Sequence, residues 1–123
     1  MVERPRTNTP LQALVTMNDP QFTEAARNLA QRMIKEGGKT TQERVTFGYR
    51  LVASRQPKPI VANILTAAYN EELENFKKNA EAANKLLAIG ESKRDETIGA
   101  AEHAAWTIVA SMLLNLDEVI TRL

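Results

Sequence analysis

Apolar residues recur at three- and four-residue intervals along most of this 123-residue chain. That is the spacing of a helix face, and no run of β-branched residues alternates at period two. The pattern predicts an all-α fold with its helices set apart by clear stop and start signals. The first signal is Thr9-Pro10-Leu11-Gln12, in which Thr9 is an N-cap, Pro10 suits the first helical position and Gln12 completes a Thr-x-x-Gln capping box. A helix of about two turns should follow. Asn18-Asp19-Pro20 then ends it and starts the next, with Asp19 accepting bonds from the orphan amides and Pro20 in first position.

The second helix should run from Pro20 to about Glu36, with Phe22, Ala25, Ala26, Leu29, Met33 and Ile34 along its apolar face. Gly37 and Gly38 stop it, and Thr40 with Glu43 forms a second capping box. The third helix should bury Val45, Phe47, Gly48, Leu51 and Val52 before Pro57 and Pro59 break it. From Pro59 to about Asn79, Val61, Ile64, Leu65, Ala68, Leu73 and Phe76 mark a fourth helix, and Ala80 to Ile89 a short fifth. Gly90 to Gly99 is polar and bounded by glycines, so it reads as a solvated, mobile loop.

The stretch from Ala100 to about Arg122 is the most apolar. Ala104, Ala105, Trp106, Ile108, Val109, Met112 and Leu113 occupy more than one face, so this helix should be the central, most buried element. The prediction is a compact bundle of five to six helices, one domain over residues 1–123, packed around the C-terminal helix.

Composition narrows the chemistry more than it identifies it. The apolar fraction of 43% and charged fraction of 25% are ordinary globular usage. Net charge is +1, but ten Lys or Arg face five acids up to Pro59, and six face ten beyond it. With few aromatics and no basic run along one helix face, this asymmetry does not point to nucleic acid. The absence of cysteine excludes a disulfide framework, a zinc-thiolate site, a thiol nucleophile and covalent haem attachment within these residues. No apolar run approaches the ~20 residues of a membrane span, and the opening residues lack the apolar stretch of a signal peptide.

Candidate reactive groups are sparse. Gly38-Lys39-Thr40 resembles the end of a phosphate-binding loop, but Met33 stands where that loop's first glycine belongs, and a helix precedes it where a strand is needed. A glycine C-cap followed by a threonine N-cap explains the string. His103 is the single histidine, so neither a metal cluster nor a base for Ser54, Ser92 or Ser111 is evident. Glu71, Glu72 and Glu74 read as a solvated face, with Glu74–Lys78, Glu81–Lys85 and Glu118–Arg122 spaced as surface ion pairs. Asn115 and Asp117 interrupt the apolar C-terminal helix and need partners if buried. They read either as a bond to a neighbouring helix end near Asn8 or Asn18, or as a polar pocket. Trp106 reads as core.

The strings TNTPLQALVTMNDPQFTEAARNLAQRM (7–33) and AAWTIVASMLLNLDEVITR (104–122) resemble the C-terminal planctomycete-specific (PSD) domain of unknown function, found in large proteins that often carry a cytochrome c-like domain. Arg50-Leu51 to Pro59 and the Leu86 to Gly90 turn extend the resemblance along the chain. It implies an exported or periplasmic parent protein, with these residues the C-terminal portion of its larger planctomycete-specific domain. It also implies haem, where present, in another domain on a Cys-x-x-Cys-His motif. No catalytic residue is carried over. The family usually has Ser or Thr where Lys58 precedes the fourth helix, so that cap should be weaker, and an apolar residue where His103 stands.

The leading expectation is a helical structural or interaction module. Asn8, Asn18, Asp19, Trp106, Asn115 and Asp117 are its candidate helix-corner or polar-pocket residues, and it has no cofactor of its own. Its partners would be other domains of the same polypeptide, with self-association through an exposed apolar face. The alternative is one wall of an active site, polysaccharide-directed, completed upstream. A third reading gives the basic first half an electron-transfer docking role, which predicts steep salt dependence.

Overall fold

A computed structural model describes residues 20–89 and 96–115. The opening helix predicted from Thr9, the candidate residues Asn8, Asn18, Asp19 and Asp117, the pair Glu118–Arg122 and the part of the predicted C-terminal helix beyond residue 115 lie outside them. The described residues form five helices and no strand: α1 (Pro20–Glu36), α2 (Thr41–Ala53), α3 (Pro59–Lys78), α4 (Ala80–Leu87) and α5 (Ala100–Leu114). Every residue of α5 from His103 to Leu113 is buried. The broadest helix contact in the bundle is between α1 and α5, and α3 and α4 pack on α5 as well. The fold is the expected all-α bundle around its C-terminal helix.

Local chemistry explains most boundaries. Gly37 N–H donates to Met33 O at 3.0 Å, and Gly38 takes φ +106°, a left-handed conformation that side chains rarely adopt. The chain turns there into a complete capping box. Glu43 N–H donates to Thr40 Oγ1 at 3.1 Å, and the Glu43 carboxylate accepts from Thr40 N–H and Lys39 N–H, each at 3.0 Å. By contrast Lys58 gives α3 no side-chain cap, and only Pro59 marks its start. Asn79 both ends α3 and caps α4, its Oδ1 accepting from Ala82 N–H at 3.1 Å.

Those backbone amides hold the Glu43 carboxyl below its ordinary range, with the Thr40 N–H the largest cause. A depressed folded-state carboxyl stabilises above its unfolded value and loses that contribution as pH falls through the folded one. Thr40→Ala removes the hydroxyl that accepts from Glu43 N–H and should cost ~1 kcal/mol in urea unfolding at neutral pH. It removes only the smallest of the three bonds to the Glu43 carboxylate, so that carboxyl should stay below its ordinary range, as read by NMR titration.

Two helix faces and one connecting segment differ from the expected pattern. On α1 the buried positions are Thr23, Ala26, Arg27, Ala30 and Met33. Ala25 is exposed, and Phe22, Leu29 and Ile34 are half-buried. The small residues let α5 approach closely, which moves the contact stripe round towards Arg27. On α2, Val45, Gly48 and Tyr49 are buried, whereas Leu51 is 41% and Val52 37% exposed. Gly48 is the close-approach point, since a Cβ there would meet Met33 Sδ at 2.7 Å and Leu113 Cδ1 at 2.8 Å. The contact face runs through Gly48 and Tyr49, and the last turn of α2 faces outward. Finally, Ile98 is buried at the foot of α5 although the Gly90–Gly99 segment reads as solvated; residues 90–95 lie outside the described set.

Candidate functional site

Two polar clusters sit among the apolar contacts. The first centres on Arg27, which is 1% exposed. Its Nη1 donates to Leu87 O at 2.8 Å and to Ile89 O at 3.0 Å, and its Nη2 lies 3.9 Å from the Glu24 carboxylate. Leu87 is the last residue of α4, so the guanidinium binds carbonyls at a helix C-terminus, where the helix dipole favours a cation. His103, wholly buried on α5, faces the same stretch of α1, its Nε2 3.3 Å from Arg27 O. A carbonyl only accepts, so Nε2 carries the proton in this contact. The cluster ties α1, α4 and α5 together.

The second cluster joins α2, α3 and α5. Arg44 Nη1 donates to Glu102 Oε2 at 3.0 Å and its Nε to Gly38 O at 3.0 Å. Nearby, Tyr69 stacks on Trp106 with ring centroids 4.2 Å apart and planes 25° off parallel. Burial pushes the Tyr69 phenol up, and the Glu102 carboxylate adds to the effect. The phenol therefore stays protonated at neutral pH and is not poised as a base. Trp106 is fully buried and its Nε1–H has no hydrogen-bond partner.

The other polar groups of α5 turn back on their own helix. Thr107 Oγ1 donates to His103 O at 2.7 Å and Ser111 Oγ to Ile108 O at 2.6 Å. Asn115 is the C-cap of α5, half-buried, with Nδ2 donating to Ser111 O at 3.2 Å. That bond lies within its own helix; the neighbouring helix end that the sequence suggested, near Asn8 or Asn18, lies outside the described residues. Of the six candidate residues, Trp106 and Asn115 are the ones described, one in the core and one at the helix end. Among the described residues no group of three or more His, Cys, Asp or Glu could hold a metal ion, and no helix is long and apolar enough to cross a membrane.

Arg27 is the residue that sequence reasoning missed. Its signal was faint: a charged residue one turn after Thr23, on a stripe of small residues. Glu72 was missed too. It is 6% exposed on α3 rather than part of a solvated face, and burial, helped by Glu71, raises its carboxyl above the ordinary range. Its neighbour Glu74 pairs with Lys77 at 3.8 Å, not with Lys78, while Glu81 pairs with Lys85 at 3.4 Å as expected. A raised folded-state carboxyl leaves stability intact below the unfolded value and subtracts from it as pH rises through the folded one. Glu72→Gln should therefore raise the urea midpoint at pH 7 and leave it unchanged near pH 3.

One surface depression accompanies these clusters. Thr46, Phe47, Arg50, Leu51 and Ser54 line an open groove of about 500 Å³ on the outer side of α2. Arg32 lies over the Phe47 ring at 6.0 Å, its charge matched by Glu36 at 3.2 Å.

A family model described as PSD1, protein of unknown function (DUF1553), matches residues 1–69. The chain belongs to that family. The PSD1 match takes in α1, α2 and α3 as far as Tyr69, so the groove falls wholly inside it. The stacking partner Trp106 and the rest of α5 fall beyond it. No curated protein and no solved structure matches this PSD1 chain.

Proposed function

We propose that these residues form a helical structural and interaction module at the C-terminal end of a large exported protein that carries a cytochrome c-like domain. Its partners are other domains of the same polypeptide, and any haem belongs to one of those. The observation that carries the reading is the use made of the buried polar groups. Arg27 and His103 bond backbone carbonyls of neighbouring helices and so hold helices in place, while Thr107 and Ser111 bond carbonyls of α5 itself. Large apolar side chains left at the surface, Leu51, Val52, Ile60 and Leu114, supply contact area of the kind inter-domain surfaces use. The resemblance of the 7–33 and 104–122 strings to the planctomycete-specific domain supports the parent context.

The test is to purify residues 1–123 and the remainder of the parent polypeptide separately and to titrate one into the other by calorimetry. The expected result is a saturable one-to-one complex with Kd of about 10 µM or tighter, with the haem spectrum of the remainder unchanged. No heat of association, together with loss of a catalytic activity when the module is deleted, would replace this reading with the active-site wall.

A further inference from the structure

The outer side of α2 differs in character from the rest of the bundle. Between Arg32 and Lys58 there are seven Lys or Arg and two Glu. Both glutamates are already engaged, Glu36 with Arg32 and Glu43 in the capping box at Thr40. Lys39, Arg50, Arg55 and Lys58 are exposed and form no ion pair among the described residues. With Arg44 paired to Glu102, these four cations leave the region net positive among the described residues.

The groove lies within that region. Its apolar lining is half-buried Phe47 and Leu51, which is 41% exposed. Its edge carries the exposed, unpaired Arg50 and the hydroxyl residues Thr46 and Ser54. A purely electrostatic surface for polyanions would not need an exposed leucine beside an aromatic ring. A purely apolar contact would not need a guanidinium without a counter-ion. We infer that this groove docks an acidic peptide segment that sets an aromatic or branched aliphatic side chain on Phe47 and Leu51 and a carboxylate on Arg50. A guanidinium fork matches a carboxylate in two parallel bonds, and its planar face tolerates an adjacent ring. Charge complementarity sets the sign of the partner, and the apolar lining sets its anchor.

This assignment rests on the interaction-module reading but can fail on its own, because it concerns one groove and a free peptide. The probe is a fluorescein-labelled random copolymer of glutamate and tyrosine, titrated with the whole chain by anisotropy. Polyglutamate of the same length and a single-stranded oligonucleotide serve as comparisons. The copolymer should bind at least about tenfold more tightly than either comparison, and more weakly as salt rises. Arg50→Glu and Leu51→Asp should each weaken it by about tenfold or more. Lys85→Glu, at an exposed position of α4, should leave it unchanged. Both groove residues are exposed, so the variants should keep the parent melting curve, which circular dichroism checks.

Four results would overturn the assignment. Copolymer and polyglutamate could bind equally, with Lys85→Glu as damaging as Arg50→Glu. The oligonucleotide could bind best. Sedimentation could show that Leu51→Asp splits a dimer, which would make a second copy the occupant. Binding of the copolymer could also be absent altogether.

Discussion

Trp106→Ala lowers the free energy of unfolding by ~3–5 kcal/mol, the range for removing a large aromatic side chain from a packed core. Trp106 is fully buried and stacked on Tyr69, so the substitution both opens a cavity and ends a ring contact between α3 and α5. Such a contact adds ~0.5–1.5 kcal/mol beyond the area it buries. Against a total of about 5–15 kcal/mol for a domain, the variant should be marginal at 37 °C. Trp106→Phe separates the two contributions. It keeps a ring against Tyr69 and deletes an indole N–H that has no hydrogen-bond partner, so it should cost less than about half as much. Urea unfolding followed by circular dichroism measures both. An Ala variant within ~1 kcal/mol of the parent would mean that Trp106 does not sit in a tight core.

The second large effect is at Arg27. Arg27→Met keeps the aliphatic bulk and removes the donors that satisfy Leu87 O and Ile89 O. Leu87 O is then left without this donor in a buried site and Ile89 O in a part-buried one, at a cost of ~2–4 kcal/mol. The loss should also be local. With eight residues, α4 is too short to persist without tertiary support. Its amides should therefore exchange faster in the variant, by about the factor that the lost stability implies, while those of α3 change less. Arg27→Lys keeps the charge at the helix end but lacks the fork that reaches two oxygens, so it should fall between Met and the parent. Unchanged stability and unchanged α4 exchange in Arg27→Met would show that the clamp contributes nothing.

The sequence made the skeleton legible because its punctuation is chemically explicit. Gly37-Gly38, the Thr40–Glu43 box, Pro59 and Asn79 each impose a backbone state or satisfy a named amide, and the helices begin and end at them. The central place of α5 was legible for a different reason: a helix apolar all round has nowhere to go but inside.

What the sequence hid was the choice of face where apolar residues are too many or too few. On α1, Phe22, Leu29 and Ile34 suggest one stripe, but close packing against α5 favours the small residues Ala26 and Ala30 and carries Arg27 inward with them. On α2, Gly48 draws the helix onto Met33 and Leu113, which leaves Leu51 and Val52 outside. Buried charge was equally hard to foresee. Arg27 is stabilised by carbonyls of a helix about sixty positions along the chain, and no local spacing encodes that partner. The polar candidates near the C-terminus stood out because they broke an apolar pattern. The break at Asn115 marks where α5 is capped.

α5 is the mast to which the other helices are fastened, and native-state amide hydrogen exchange measures that directly. The amides from Ala104 to Leu113 should be the slowest in the chain and open only with global unfolding, while those of α4 open at lower free energy. Faster exchange along α5 than along α3, or α5 amides that open independently of the urea transition, would contradict it.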